Sequence, residues 1–229
     1  FVVEVLGARE SLWARARIAV PAVLTFTFLT LIATLVHIDK FHFGAEFGLL
    51  TQAGTWTWLL VYALVPIAMA VLLVLQLRVR GTDPPRQAPM PAWIRLLLSA
   101  QAGIMLLLGI FLFLVPGPAA DAIWPWMLTA LTGRATGAWL IGVGIAAGQM
   151  AWENDWLRVR AGTASYSTFG ALELGVLLRF ATSRDPASGY PIIDWSDLRI
   201  WVYLVFLVTI LAAGVYGFLA GQRARRAGA

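Results

Sequence analysis

Glu173 is a carboxylate near the middle of an otherwise largely apolar stretch, residues 163–181. At the centre of a bilayer an ionised side chain of this kind costs about 3 kcal/mol on insertion scales. Two readings follow: a Glu that is protonated or hydrogen-bonded within a helix bundle, or a ligand or proton site. Tyr166 and Gly170 precede Glu173 by seven and three residues, a spacing that puts all three on one helical face. Arg179 lies six residues on, where it can snorkel to the outer boundary, and Arg134 opens a neighbouring segment at that same level. Glu173, Tyr166, Arg134 and Arg179 are therefore the candidate ligand or proton site.

The chain has two histidines, both in His37-Ile-Asp39-Lys-Phe-His42-Phe-Gly-Ala-Glu46. His37, Asp39, His42 and Glu46 offer the two nitrogens and two carboxylates that a divalent metal accepts. Five residues separate the histidines, which is neither helical spacing, and an ordinary polar loop with Phe41 and Phe43 dipping into the interface explains the same residues. A third constellation occurs twice. Glu10-Ser-Leu-Trp13-Ala-Arg15-Ala-Arg17 returns as Glu153-Asn-Asp-Trp156-Leu-Arg158-Val-Arg160. Interfacial Trp and Arg orient membrane helices, and the same block suits a lipid headgroup or a partner protein at two quasi-equivalent sites. With no cysteine, thiolate catalysis, disulfides and thiolate metal sites are excluded. No nucleophile elbow, phosphate loop, dinucleotide fingerprint or H-E-x-x-H is present, so no catalytic constellation is evident, an enzyme is not the expectation, and no cofactor is predicted.

The solvent for these residues is set by composition. Sixty per cent of the 229 residues are apolar and 13% are charged, against about 25% charged in soluble domains. About 20 apolar residues cross the hydrocarbon core, and the stretches 18–37, 56–77, 96–115, 134–152 and 200–221 meet or approach that length. Residues 163–181 form a sixth span by their alignment with 20–38, and Phe1–Gly7 is the stub of a further helix whose remainder is expected to precede this chain. Basic residues gather at one set of ends: Arg9, Arg15 and Arg17; Arg78, Arg80, Arg86 and Arg95; Arg158 and Arg160; Arg223, Arg225 and Arg226. Those clusters and the C-terminus are expected in the cytoplasm, with the acidic loops 38–54, 116–133 and 182–199 opposite. The clusters are short and lie at helix ends, so the positive net charge predicts no nucleic-acid partner.

At the offset of the duplicated block, Thr25-Phe26 falls on Thr168-Phe169, Trp58 on Trp201 and Thr30 on Glu173. An internal duplication is the expectation. The fold class is all-α: a polytopic transmembrane bundle of about six spanning helices plus the N-terminal stub, built as two parallel repeats of a four-helix unit. The first repeat, 1–80, is incomplete; a Pro-rich cytoplasmic linker, 81–92, leads to the second, 93–229. Within 134–152, Gly133-x-x-x-Gly137 and Gly144-x-x-x-Gly148 predict close helix packing.

Trp124-Pro-Trp126-Met-Leu-Thr129-Ala-Leu-Thr132-Gly-Arg134-Ala-Thr-Gly137-Ala-Trp139, with Ala151-Trp-Glu153-Asn-Asp-Trp156 and His37-Ile-Asp39-Lys-Phe-His42-Phe, resembles a group of uncharacterised polytopic membrane proteins from GC-rich bacteria. The four-helix unit with its early Arg-x-x-Gly more distantly resembles DoxX-like small membrane proteins. These resemblances imply a helical bundle in a bacterial inner membrane and no particular activity. The expected function is an accessory or scaffold subunit, or a binder of a lipophilic molecule, with membrane lipids and other membrane subunits as partners. The alternative is a small-solute or proton-coupled transporter using the groove between the repeats.

Overall fold

A computed structural model describes residues 6–7, 9, 12–44, 46–79, 81–184, 189 and 191–227. Glu10, Arg80 and Asp185 of the segments above, and most of the 1–7 stub, lie outside the described residues. Among the described residues the chain is helical: α1 (Trp13–Ala16), α2 (Ala19–Val36), α3 (Leu49–Arg78), α4 (Ala92–Leu114), α5 (Pro116–Ile123), α6 (Ala130–Glu153), α7 (Arg160–Phe180) and α8 (Leu198–Ala227). Four of these, α2, α3, α4 and α8, are long and apolar enough to cross a membrane, which fits a multi-pass membrane protein. Helices α6 and α7, of 24 and 21 residues, have the length but not the apolarity, because glycine, Arg134, Arg160, Glu173 and Arg179 dilute them.

Helix ends differ from hydropathy in instructive ways. α3 starts at Leu49, two turns before the apolar run that marks it, because Leu49-Leu50-Thr-Gln-Ala raise no barrier to helix. Pro66 sits inside it without ending it. The expected outer loop 116–133 contains α5, which begins with Pro116 in the first turn, where its missing N–H costs nothing. α6 is started by Thr129, whose hydroxyl accepts from the Thr132 backbone N–H at 3.2 Å. It is stopped by Asn154 in the left-handed region, φ 48°, a conformation that asparagine tolerates better than most side chains.

The core of the bundle is the crossing of α4 and α6, which is a glycine contact. A Cβ on Gly137 would stand 2.7 Å from the Gly109 carbonyl oxygen and 2.7 Å from the Phe113 backbone nitrogen. Gly144 meets Ala102 and Leu106 in the same way, so the glycines of α6 let two backbones touch. The opposite side of α6 receives α2, where a Cβ on Gly142 would lie 2.9 Å from the Cβ of Phe26. α3 packs chiefly on α2, tied by the Trp58 indole N–H donating to Thr34 Oγ1 at 3.1 Å. α7 and α8 form a second close pair, with Gly214 against the Ser167 backbone. Buried Gln101 on α4 ties that pair in: its Oε1 accepts from the Tyr166 hydroxyl at 2.9 Å and its Nε2 donates to Thr209 Oγ1 at 3.0 Å. A shared amide satisfying two hydroxyls is the way polar groups hold helices together where no water competes.

Gly137→Ala should lower the melting temperature in mild detergent, with a loss of about 1–3 kcal/mol from overpacking against immovable backbone. Gly103→Ala on α4, where a new Cβ meets nothing within 4 Å, is expected to leave it unchanged or slightly raised. Equal effects at the two positions would refute the account of the crossing.

Candidate functional site

Two polar centres stand out, one at the arginine-rich end of the bundle and one within it. At the first, Glu153 closes α6 and is fully buried. Arg17, between α1 and α2, grips it in a two-point contact: Nε donates to Oε1 at 2.5 Å and Nη2 to Oε2 at 2.9 Å. Arg158 Nη1 donates to the same Oε2 at 3.0 Å. Arg17 Nη1 also reaches Asp83 Oδ2 at 2.6 Å, and Arg158 Nη1 lies 3.7 Å from that oxygen. The hydrogen bond to Glu153 is the largest influence holding the Arg17 guanidinium above its ordinary pKa, against the opposing effect of burial. A two-point contact from one guanidinium and a single bond from a second is geometry that compensates a buried carboxylate.

The Pro-rich segment 81–91 is irregular and is laid across this centre. Arg158 Nη2 donates to the Pro84 carbonyl. Asp155 Oδ2 accepts from Gln87 N at 2.7 Å, Asn154 Oδ1 accepts from Met90 N at 3.1 Å, and Trp156 N donates to the Ala88 carbonyl at 2.8 Å. The two copies of the duplicated block thus meet. Arg17 belongs to the first; Glu153, Trp156 and Arg158 belong to the second and are buried against one another and the linker. Trp13 and Arg15 are half-buried beside them, and Arg160 turns to the Phe218 ring, 5.9 Å away.

The second centre is a cavity of about 460 Å³ bounded by α2, α3, α4, α6, α7 and α8. Nine of its lining residues are aromatic: Phe26, Trp58, Tyr62, Trp124, Trp126, Trp139, Phe169, Tyr203 and Phe206. Eight of them interlock in two groups. Trp139 stands edge-on to Phe26 at 4.9 Å and 6.0 Å from Phe169, and Phe26 continues to Tyr62 and Trp58. Across the cavity Trp124, Trp126 and Tyr203 form a mutual triangle with centroids 5.4–5.5 Å apart. Glu173 is the one charged lining residue, and the Tyr203 hydroxyl donates to its Oε2 at 3.0 Å. Thr30 faces the same space; its hydroxyl and the Trp124 indole N–H are buried without a hydrogen-bond partner.

Of the four residues proposed to act together within the membrane, only Glu173 lines this cavity. Tyr166, two turns along α7 from Glu173, is committed to Gln101 of α4. Arg134 Nη1 lies 2.7 Å from His37 Nε2, and since a guanidinium only donates, Nε2 accepts. Arg179 is exposed, its guanidinium 5.5 Å over Phe180. The metal candidates are dispersed too. His37 is engaged with Arg134, Asp39 pairs with Lys40 at 3.0 Å, and His42 packs on Phe47 at 4.3 Å. Among the described residues no three His, Asp or Glu side chains, Glu46 included, converge on a point that could hold a metal.

Arg158→Met should cost about 3–5 kcal/mol, because a buried carboxylate loses one of its two guanidinium partners. It should also open the linker, so that limited trypsin digestion cuts after Arg86 faster than in the unaltered chain; Arg86 is otherwise tethered to the Trp152 carbonyl at 3.3 Å. An unchanged digestion rate would show that the linker is held by other contacts. No family model, curated protein or solved structure matches this chain.

Proposed function

We propose that this chain is a multi-pass membrane protein that binds a lipophilic ligand in the aromatic cavity beside Glu173. The observation that carries the proposal is the cavity itself: about 460 Å³, half-walled by aromatic rings, with one carboxylate and two buried polar groups that lack partners. Ligand pockets have that size and that mixture of apolar wall and few polar groups. Unpartnered buried polar atoms are costly, and a ligand that bonds them removes the cost.

In the same proposal six helices span the bilayer, α6 and α7 included, as two like-facing repeats in a bacterial inner membrane, with the arginine clusters in the cytoplasm. Support comes from pairing and position. α2 packs with α3 as α7 packs with α8, and the positions that the duplication equates, Phe26 with Phe169 and Thr30 with Glu173, all line the one cavity. The cavity then occupies the groove between repeats.

An accessory role beside another subunit is the second reading, and α3 favours it. Only 6% of its apolar window is buried, and Leu60, Leu64, Ile67, Val71 and Leu75 are exposed along it. Lipid or a partner helix would cover that face equally well.

Native membrane extracted under mild conditions and weighed by mass spectrometry tests both. A small lipophilic molecule retained at one per chain, and lost from the cavity-filling variant Thr136→Trp while the fold persists, is the expected result. Co-purification of a stoichiometric second polypeptide would favour the accessory role. A chain that migrates alone, with neither, would overturn both.

A further inference from the structure

We infer that the ligand of the aromatic cavity is a lipophilic organic cation, a quaternary ammonium or protonated amine whose positive charge lies between Glu173 and the Trp124, Trp126 and Tyr203 triangle. This rests on the cavity being a ligand site and adds the charge of the occupant. Three observations converge. Glu173 is the single charged lining residue, and among the described residues it has no salt-bridge partner. The two arginines that α6 and α7 could have supplied are placed elsewhere, Arg134 on His37 and Arg179 over Phe180. The carboxylate's bond comes from the Tyr203 hydroxyl at Oε2, an uncharged donor that orients it.

The walls reinforce the same sign. An aromatic face carries the negative end of the ring quadrupole and attracts cations, most strongly when water is excluded, and tryptophan is the best of the rings. Trp124 and Trp126 pack edge-to-face on Tyr203 and on each other with centroids 5.4–5.5 Å apart, so electron-rich rings gather beside the residue that bonds the carboxylate. An anion would meet the opposite: a like charge at Glu173 and the negative faces of the rings. A cation with apolar substituents and an acceptor oxygen satisfies the carboxylate and the Trp124 N–H, and fills the remaining aromatic volume around Phe26, Trp139 and Phe169.

The test uses the full chain in lipid nanodiscs, with empty nanodiscs as the blank, and three probes of one shape: tetraphenylphosphonium, neutral tetraphenylmethane and anionic tetraphenylborate. Saturable binding of labelled tetraphenylphosphonium at one per chain is expected, with the neutral and anionic probes about tenfold weaker or more as competitors. Glu173→Gln should weaken the cation about tenfold, a change of about 1.4 kcal/mol, and Glu173→Asp should restore most of it. Asp194→Asn, which does not line the cavity, should leave it unchanged. If tetraphenylmethane competes as well as the cation, or Glu173→Gln binds the cation equally, the charge assignment falls while the lipophilic site stands. If none of the three saturates, the lipophilic site falls with it. Should Glu173→Gln fail to fold, the charge series in the unaltered chain decides the matter alone.

Discussion

The carboxylate of Glu153 is enclosed at the end of α6 with no exposure, and its two oxygens are shared between Arg17 and Arg158. A lone charge in such a place would cost several kcal/mol, and the guanidinium forks offset it only because their geometry is fixed. Three pieces of chain are thereby constrained at once. Arg17 brings the start of α2 to the foot of α6, Arg158 brings the start of α7, and Asp83 with Pro84 brings the linker between α3 and α4. Removing the carboxylate would leave buried Arg158 and half-buried Arg17 with Asp83 as their shared partner, so the ends of these helices are set as a unit.

That fixed end determines what happens higher in the bundle. With α2 seated against α6, Gly142 admits Phe26, and the Phe26 ring meets Trp139 on the same face of α6 one turn away. The other face of α6 is committed to α4 through Gly137 and Gly144. Only three of the rings that wall the cavity, Trp124, Trp126 and Trp139, lie on or next to α5 and α6; the rest arrive on α2, α3, α7 and α8. The cavity is therefore a product of how helix pairs are set around α6. α7 and α8 are locked to α4 by Gln101, which fixes the side from which Glu173 and Tyr203 enter.

Much of the helical layout was legible in the sequence, because length and apolarity decide whether a segment can cross a membrane. Glu173 was legible for the same reason: an ionisable group in an apolar run is anomalous wherever it points. Its neighbours were not. Spacing along one helix suggested Tyr166, yet the group that bonds Glu173 is Tyr203, from α8, and Tyr166 faces Gln101. In water an apolar stripe tells which face of a helix is inward; in a bundle whose outside is also apolar, Leu60 and Leu64 look like core residues and stand exposed. Rotation about the helix axis is then decided by small residues and polar pairs on other helices, which linear spacing does not carry. Asp83, Asn154 and Asp155 escaped notice because their partners are backbone amides or an arginine far along the chain. The duplicated block announced itself by its residues, but nothing in one copy says that Arg17 would close on the other.

The difference between Thr30 and Glu173 is the last step. On the proposed duplication these are equivalent positions, and both line the one cavity. A strictly symmetric ancestor with Glu at both would have set two carboxylates around a single apolar space, where like charges at close range cannot both stay ionised. A Thr at both would have left the space with hydroxyls and no charge. One of each gives a single carboxylate opposite a small hydroxyl that is buried and without a hydrogen-bond partner. On the proposed reading the cavity has a direction, with a carboxylate on the α7 side and a neutral hydroxyl on the α2 side. A duplicated scaffold would then become a site for one oriented ligand by differing at this pair of positions.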